Sequence, residues 1–317
     1  LVGTVFSGGM VEIARSGIFY PDKFTFADIM LIFLAVMITD VVLLDTFNTI
    51  GFPTSTTVSL VFELLGASVA IAVFKIAGGE DFAQLGDYIN SGKALAIIAG
   101  ILVSVIIAFS VGAFIQFITR LIFTFNYKDK LKYLGGLFGG LAITTIIYFI
   151  LIKGAKDAAF MTPQNYQWVK ENSMQIIIFS FAGITSLLYL INIFFRINIL
   201  KVVVMVGTFA LAMAFAGNDL VNFIGVPLAG YESFLTFINS PGANPGTFTM
   251  EALSGAVKTP FLFLLLSGTI MVITLYKSRK ARTVIMTGVN LSRQDEGEER
   301  FGSSVLSRGI VRFSLGI

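Results

Sequence analysis

The chain has no cysteine and no histidine among its 317 residues. Those absences exclude disulfides, thiolate nucleophiles, histidine-dependent triads, paired-histidine zinc motifs and haem ligation through histidine. The lack of cysteine leaves the redox compartment open. Charge is scarce too: only 13% of residues are Asp, Glu, Lys or Arg, where an ordinary soluble domain carries about 25%. The net charge of +3 is too small to argue for a nucleic-acid partner, so none is expected. Tryptophan occurs once, as Trp168 in a polar link, a place that suits an interfacial ring. No amino-terminal pattern reads as a signal peptide. What remains is oil, with 56% hydrophobic residues and a mean hydropathy of +0.86. The expected fold is an all-α, polytopic helix bundle, an integral multi-pass protein of a cell (inner) membrane surrounded by lipid.

A bilayer core takes about 20 mostly apolar residues per helix. Apolar segments run over residues 1 to about 13, 26–44, 58–77, 94–118, 134–152, 174–195, 202–234 and 257–276. The first is too short to span alone. The seventh is too long, and Gly217, Gly225 and Pro227 predict interruptions within it. Residues 1–276 therefore read as the transmembrane domain. Residues 277–317, with Asp295, Glu296, Glu298 and Glu299, read as a soluble stretch. Basic clusters at Lys128–Lys132 and Lys277–Arg282 favour their side as cytoplasmic. Lys23, Lys75 and Lys93 then fall on the other side. Gly135, Gly136, Gly139 and Gly140 form two overlapping small-xxx-small pairs, the spacing of close helix packing. No strand precedes them and no Lys-Ser/Thr follows, as a phosphate-binding loop would need.

Two polar clusters break the oil. In Gly51-Phe52-Pro53-Thr54-Ser55-Thr56-Thr57, the proline ends one helix or starts the next, and Ser and Thr are good N-caps. At membrane depth such an N-terminus offers free N–H donors, hydroxyls and the positive end of a helix dipole to an anion. A capped loop at the membrane surface is the alternative. Upstream stand Asp40, Asp45 and Asn48, the last two on one face if the helix continues that far. Glu63 follows about two turns into the next helix. Acids beside an anion site make sense if a cation or proton binds with the anion. For Asp45, an interfacial helix-end role is equally open. The second cluster, Gly217-Asn218-Asp219-Leu220-Val221-Asn222, places three polar side chains in an apolar run, with Asp219 and Asn222 on one helical face. Polar groups at a helix break are how many secondary transporters build midplane sites. One Asn would suit an interhelical hydrogen bond; three polar groups point to function.

Taken in order, the two clusters resemble the PiT family of inorganic phosphate transporters, which are sodium- or proton-coupled. The family has two inverted repeats with discontinuous or re-entrant helices. Each repeat carries a Gly-Asn-Asp-x-x-Asn motif early and a Pro-x-Ser-Thr-Thr motif late. Pro53-Thr54-Ser55-Thr56-Thr57 is similar to the late motif of the first repeat, and Gly217–Asn222 to the early motif of the second. Val11, Glu12, Arg15 and Gly17 also look like the family's second helix. The other two motifs are absent, so the chain reads as the middle of a longer transporter with half of its binding groups, which should not transport by itself. The resemblance implies that Ser55, Thr56, Thr57, Asn218, Asp219 and Asn222 meet inorganic phosphate or its coupling cation. Asp219, Asp45 and Asn48 are the coupling-ion candidates. It implies symport with Na+ or H+, no other metal, no cofactor and no enzymatic activity, and it leaves room for a homo-oligomer. An ionised Asp219 only accepts hydrogen bonds, so it needs a bridging cation or a shared proton beside phosphate.

Two other classes compete. An intramembrane aspartate-dependent enzyme could use Asp45 and Asp219, but the Gly-x-Gly-Asp pattern is absent around Asp219. An ion channel needs a ring of carbonyls or charges, and no Thr-Val-Gly-Tyr-Gly run is present.

Overall fold

The computed structural model describes residues 2–6, 17–79, 84–123, 127–154, 161–195, 197–254 and 261–291, together with 309, 312 and 313. Helix α1 (Phe26–Ile50) and helix α2 (Thr56–Ala77) form a hairpin. A four-residue turn, α3 (Leu85–Tyr88), leads to α4 (Ser91–Phe123) and α5 (Tyr127–Tyr148), which runs into a π turn over Phe149–Gly154. Then come α6 (Pro163–Glu171), α7 (Ser173–Phe195), α8 (Ile199–Ile238), α9 (Phe261–Lys277) and α10 (Arg279–Leu291). No strand occurs among the described residues; two isolated bridges join Phe19 to Ile89 and Thr25 to Thr249. Among the described residues, six helices are long and apolar enough to cross a membrane: α1, α2, α4, α5, α7 and α8. The α9–α10 pair, bent by 74°, raises the number to seven if it counts as one span. The protein is an all-α polytopic bundle.

Local chemistry sets the hairpin. Thr25 and Asp28 form a reciprocal capping box at the start of α1, which satisfies two orphan N–H groups. Gly51 ends α1 at φ 80°, a left-handed conformation that glycine adopts without a Cβ clash. Ser55 caps α2, its Oγ accepting from the Val58 N–H at 3.4 Å. The two helices run antiparallel: Lys75 near the end of α2 pairs with Asp28 at the start of α1 at 2.9 Å. Backbone hydrogen bonds from Tyr20 to Tyr88 and from Asn90 to Ile18 tie the segments flanking the hairpin. Lys23, Lys75 and Lys93 thus belong to one end of the bundle, as the alternation of spans predicts.

Two packed regions share α8. Its carboxy-terminal half runs antiparallel to α1: Phe237 stacks on Phe26 at 4.3 Å, and Gly230 faces Phe33 seven residues along each helix. Ile29, Ile32, Phe33 and Val36 of α1 bury against Leu60, Val61 and Leu64 of α2 and Val226 and Ala229 of α8. The amino-terminal half of α8 instead meets α5 and α7, through Ile199, Val203, Leu188 and Ile143. Here the glycines act by their size. A Cβ on Gly136 would lie 2.7 Å from the Tyr189 ring, and one on Gly139 would lie 2.6 Å from Leu188.

The expected interruption of the seventh segment is corrected. Helix α8 runs unbroken for 40 residues through Gly217–Asn222, Gly225 and Pro227. Gly, Asn and Asp are weak helix formers, but propensity is worth only about 1 kcal/mol per residue and packing overrides it. Pro227 removes one backbone donor, and the helix is held across it by Val226 and Ala229, both fully buried. At about 1.5 Å per residue, α8 is about 60 Å long, roughly twice a bilayer core. Helix α4, at 33 residues, also exceeds its expected span. The discontinuity lies instead between α9 and α10. Of the first apolar segment, Gly3–Phe6 is a 3-10 turn against α8 and α9. Val11, Glu12 and Arg15 lie outside the described residues, as does most of the stretch after Leu291.

Candidate functional site

The two polar clusters, more than 160 residues apart in sequence, meet in space. Thr56 is the first residue of α2. Its Oγ1 donates to Oδ1 of Asp219 at 2.8 Å and accepts from Nδ2 of Asn222 at 2.7 Å. The same Asn222 amide reaches Oγ1 of Thr57 at 3.0 Å. Asp219 and Asn222 are three apart on α8, so a continuous helix presents both on one face. Asn222 is buried at 8% exposure, while Thr56, Thr57 and Asp219 are half-buried. The arrangement joins a helix N-terminus, with its positive dipole end and orphan N–H groups, to an acceptor-only carboxylate and an amide.

Ser55 is exposed and serves as the N-cap. Its hydroxyl is therefore committed to the helix and lies next to the cluster without bonding to Asp219 or Asn222. The side chain of Asn218 lies outside the described residues. Asp45 and Asn48 turn to a different partner. Asp45 pairs with Nζ of Lys280 on α10 at 2.5 Å, and the Asn48 carbonyl accepts from Thr283 at 3.3 Å. Both contacts sit at the carboxy-terminal end of α1.

A second polar contact lies one turn deeper. Ser59 Oγ donates to Oε1 of Glu63 at 2.6 Å and is 3.5 Å from Oδ1 of Asp40. Asp40 and Ser59 are buried, and Oε2 of Glu63 is shielded with no hydrogen-bond partner among the described residues. A hydroxyl has one proton and cannot satisfy both carboxylates together. Two acids this near in an apolar span repel unless a proton or cation joins them. Ser59 was missed in the sequence, although a signal was there. Thr56, Ser59 and Glu63 follow the i, i+3, i+7 spacing of a single helix face, a polar stripe on an otherwise apolar α2. A groove of about 600 Å³ runs between α1 and α2, with Ser55, Ser59 and Glu63 among its few polar wall residues. Neither Thr56 nor Asp219 lines it. No group of three or more His, Cys, Asp and Glu side chains that could hold a metal ion occurs among the described residues.

A family model described as the phosphate transporter family matches residues 1–286. No curated protein and no solved structure matches the chain.

Proposed function

The chain belongs to the phosphate transporter family, and from that premise we propose that it is a secondary transporter in which phosphate and a coupling cation, Na+ or H+, meet at the Thr56–Asp219–Asn222 cluster. One observation carries this reading. Thr56 bonds to Asp219 and Asn222 at once, at the helix end where an anion is best received.

The chemistry of coupling follows from which protons are already engaged. With the site as described, the Thr56 hydroxyl proton is spent on Asp219, and the Asn222 amide is spent on Thr56 and Thr57. An incoming phosphate meets a carboxylate that repels it and donors turned away from it. A cation or proton on Asp219 changes both conditions. It removes the repulsion, and it releases the Thr56 hydroxyl to rotate toward a phosphate oxygen. Asn222 then offers its amide hydrogens, and the first N–H groups of α2 complete the cradle with the Thr57 hydroxyl. Ser55 holds the end of α2 in shape. Phosphate binds well only when the cation is bound, so the two travel together. Asn218, next to Asp219 on the same helix, is the remaining candidate ligand.

Replacement of Asp219 by Asn tests this. The variant keeps the shape and a hydrogen-bond acceptor for Thr56, but loses the charge that draws the cation. Uptake of radiolabelled phosphate by cells expressing the transporter at full length is expected to fall by about 100-fold, matching the ~2–3 kcal/mol of a hydrogen bond to a charged group. Wild-type uptake with an unchanged cation dependence would sink the assignment.

A further inference from the structure

We propose that α10 is an interfacial anchor whose occupant is an anionic phospholipid surface, and that it docks that surface to the end of α1. The inference rests on the membrane placement of the bundle and is independent of what the bundle carries.

Helix α9 is 17 residues long, about 25 Å and close to the shortest length that crosses a bilayer core. It ends at Lys277, where the chain turns by 74° into α10. Ser278 caps the new helix, accepting from the Ala281 N–H at 3.1 Å, and Arg282 reaches back to the Tyr276 carbonyl at 3.4 Å. A helix bent this far from a spanning helix lies near the membrane plane. Lys277, Arg279, Lys280 and Arg282 stand within six residues at this exit point, so the start of α10 cannot enter hydrocarbon.

The faces of α10 are divided by polarity. Lys280, Thr283 and Thr287 share one side, as the 3.6-residue period requires. That side meets α1, through the Lys280–Asp45 pair and the Thr283 bond to the Asn48 carbonyl, with Thr287 buried. Ala281, Ile285 and Val289 share the opposite side, with Arg282 at its amino-terminal end, and there Ile285 is 60% exposed and Val289 is 44% exposed. The polar face is thus turned to protein and the apolar face away from it. An apolar face flanked by cations is the pattern of a helix seated at the headgroup boundary, and anionic headgroups attract juxtamembrane Lys and Arg. Lipid-seated α10 then holds the end of α1 from which the Gly51 turn and the α2 cap follow.

The test uses a chain that has no native cysteine. An environment-sensitive fluorophore is attached through Ile285→Cys in one sample and Asn290→Cys, on the opposite face, in another. Each is reconstituted in phosphatidylcholine vesicles with and without phosphatidylglycerol. Quenching by brominated acyl chains at 285 but not 290, quenching by iodide at 290 but not 285, and a stronger lipid signal with phosphatidylglycerol are expected. Adding Arg279→Gln and Arg282→Gln is expected to cut the ratio of lipid-seated to water-exposed α10 about thirtyfold in anionic vesicles, from about fivefold per cation. Equal iodide quenching at both positions overturns the proposal. So does shielding of 285 from both quenchers, which means a protein cover, or indifference to lipid charge.

Discussion

Helix α8 connects two regions that solve the same packing problem in different ways. Its amino-terminal half packs Ile199 and Val203 on Gly135 and Gly139 of α5, where Gly136 and Gly139 also let Tyr189 and Leu188 of α7 come close. Its carboxy-terminal half meets α1 and α2 through large apolar side chains and, at Thr56, Asp219 and Asn222, through hydrogen bonds. Lipid is as apolar as Leu, so helix association in a membrane relies on close packing and interhelical polar contacts. The glycine region uses the first and has little chemistry to offer. The α1–α2 region uses both, and its polar contacts are the ones the proposed site would exchange with a solute. One helix thus contributes a close-packed half and a half that carries the proposed site.

Changes that act on only one half sharpen this contrast. Gly136→Leu or Gly139→Leu forces a side chain into space that Tyr189 or Leu188 already fills, and overpacking of this kind costs about 1–3 kcal/mol. The expected result is a lower yield of folded protein and a lower thermal midpoint in detergent, with normal phosphate uptake per folded molecule. A shifted cation dependence in these variants would erase the distinction between the halves. Thr56→Val removes the hydroxyl that links Asp219 to Asn222, and uptake should drop about tenfold, near the ~1–1.5 kcal/mol of a net hydrogen bond. Thr56→Ser should restore most of it while the thermal midpoint stays put in both. Ser59→Ala leaves Asp40 and Glu63 without their shared donor, and the expected readout is a several-fold change in the cation concentration for half-maximal uptake, on the order of one hydrogen bond. Lys280→Gln should matter least. Its pair with Asp45 is about half exposed on both partners, and such pairs are worth below ~1 kcal/mol. A large loss of uptake there would move Asp45 back among the coupling-ion candidates.

The membrane character and most spans were legible from composition and length, because a bilayer imposes a simple requirement on both. A helix boundary at Pro53 with a Ser or Thr cap beside it was legible because capping is local chemistry. The glycine pairs also announced their packing. The break in the seventh segment misled for the opposite reason. Gly217, Asn218 and Pro227 speak only for local preference, and α8 is kept helical through them by burial of Val226, Ala229 and Leu220 against neighbours the segment cannot name. Asp45 and Asn48 read as site residues by their nearness in sequence to Pro53. Their partner, α10, enters from more than 230 residues away. Ser59 belonged to no motif, and its polar stripe with Thr56 and Glu63 gained meaning only when α1 set Asp40 opposite it.

The sequence by itself determined that this protein lives in a membrane and belongs with phosphate transporters, and it nominated Ser55, Thr56, Thr57, Asn218, Asp219 and Asn222 as candidate site residues. Residue type and spacing suffice for those conclusions, since hydropathy and motifs are properties of the chain alone. Only the tertiary structure decided that Thr56 bonds to both Asp219 and Asn222, that Ser59 stands between Asp40 and Glu63, and that Asp45 answers to Lys280. Each of those facts depends on the relative position and rotation of separate helices, and a hydrogen bond is lost within an ångström of misplacement.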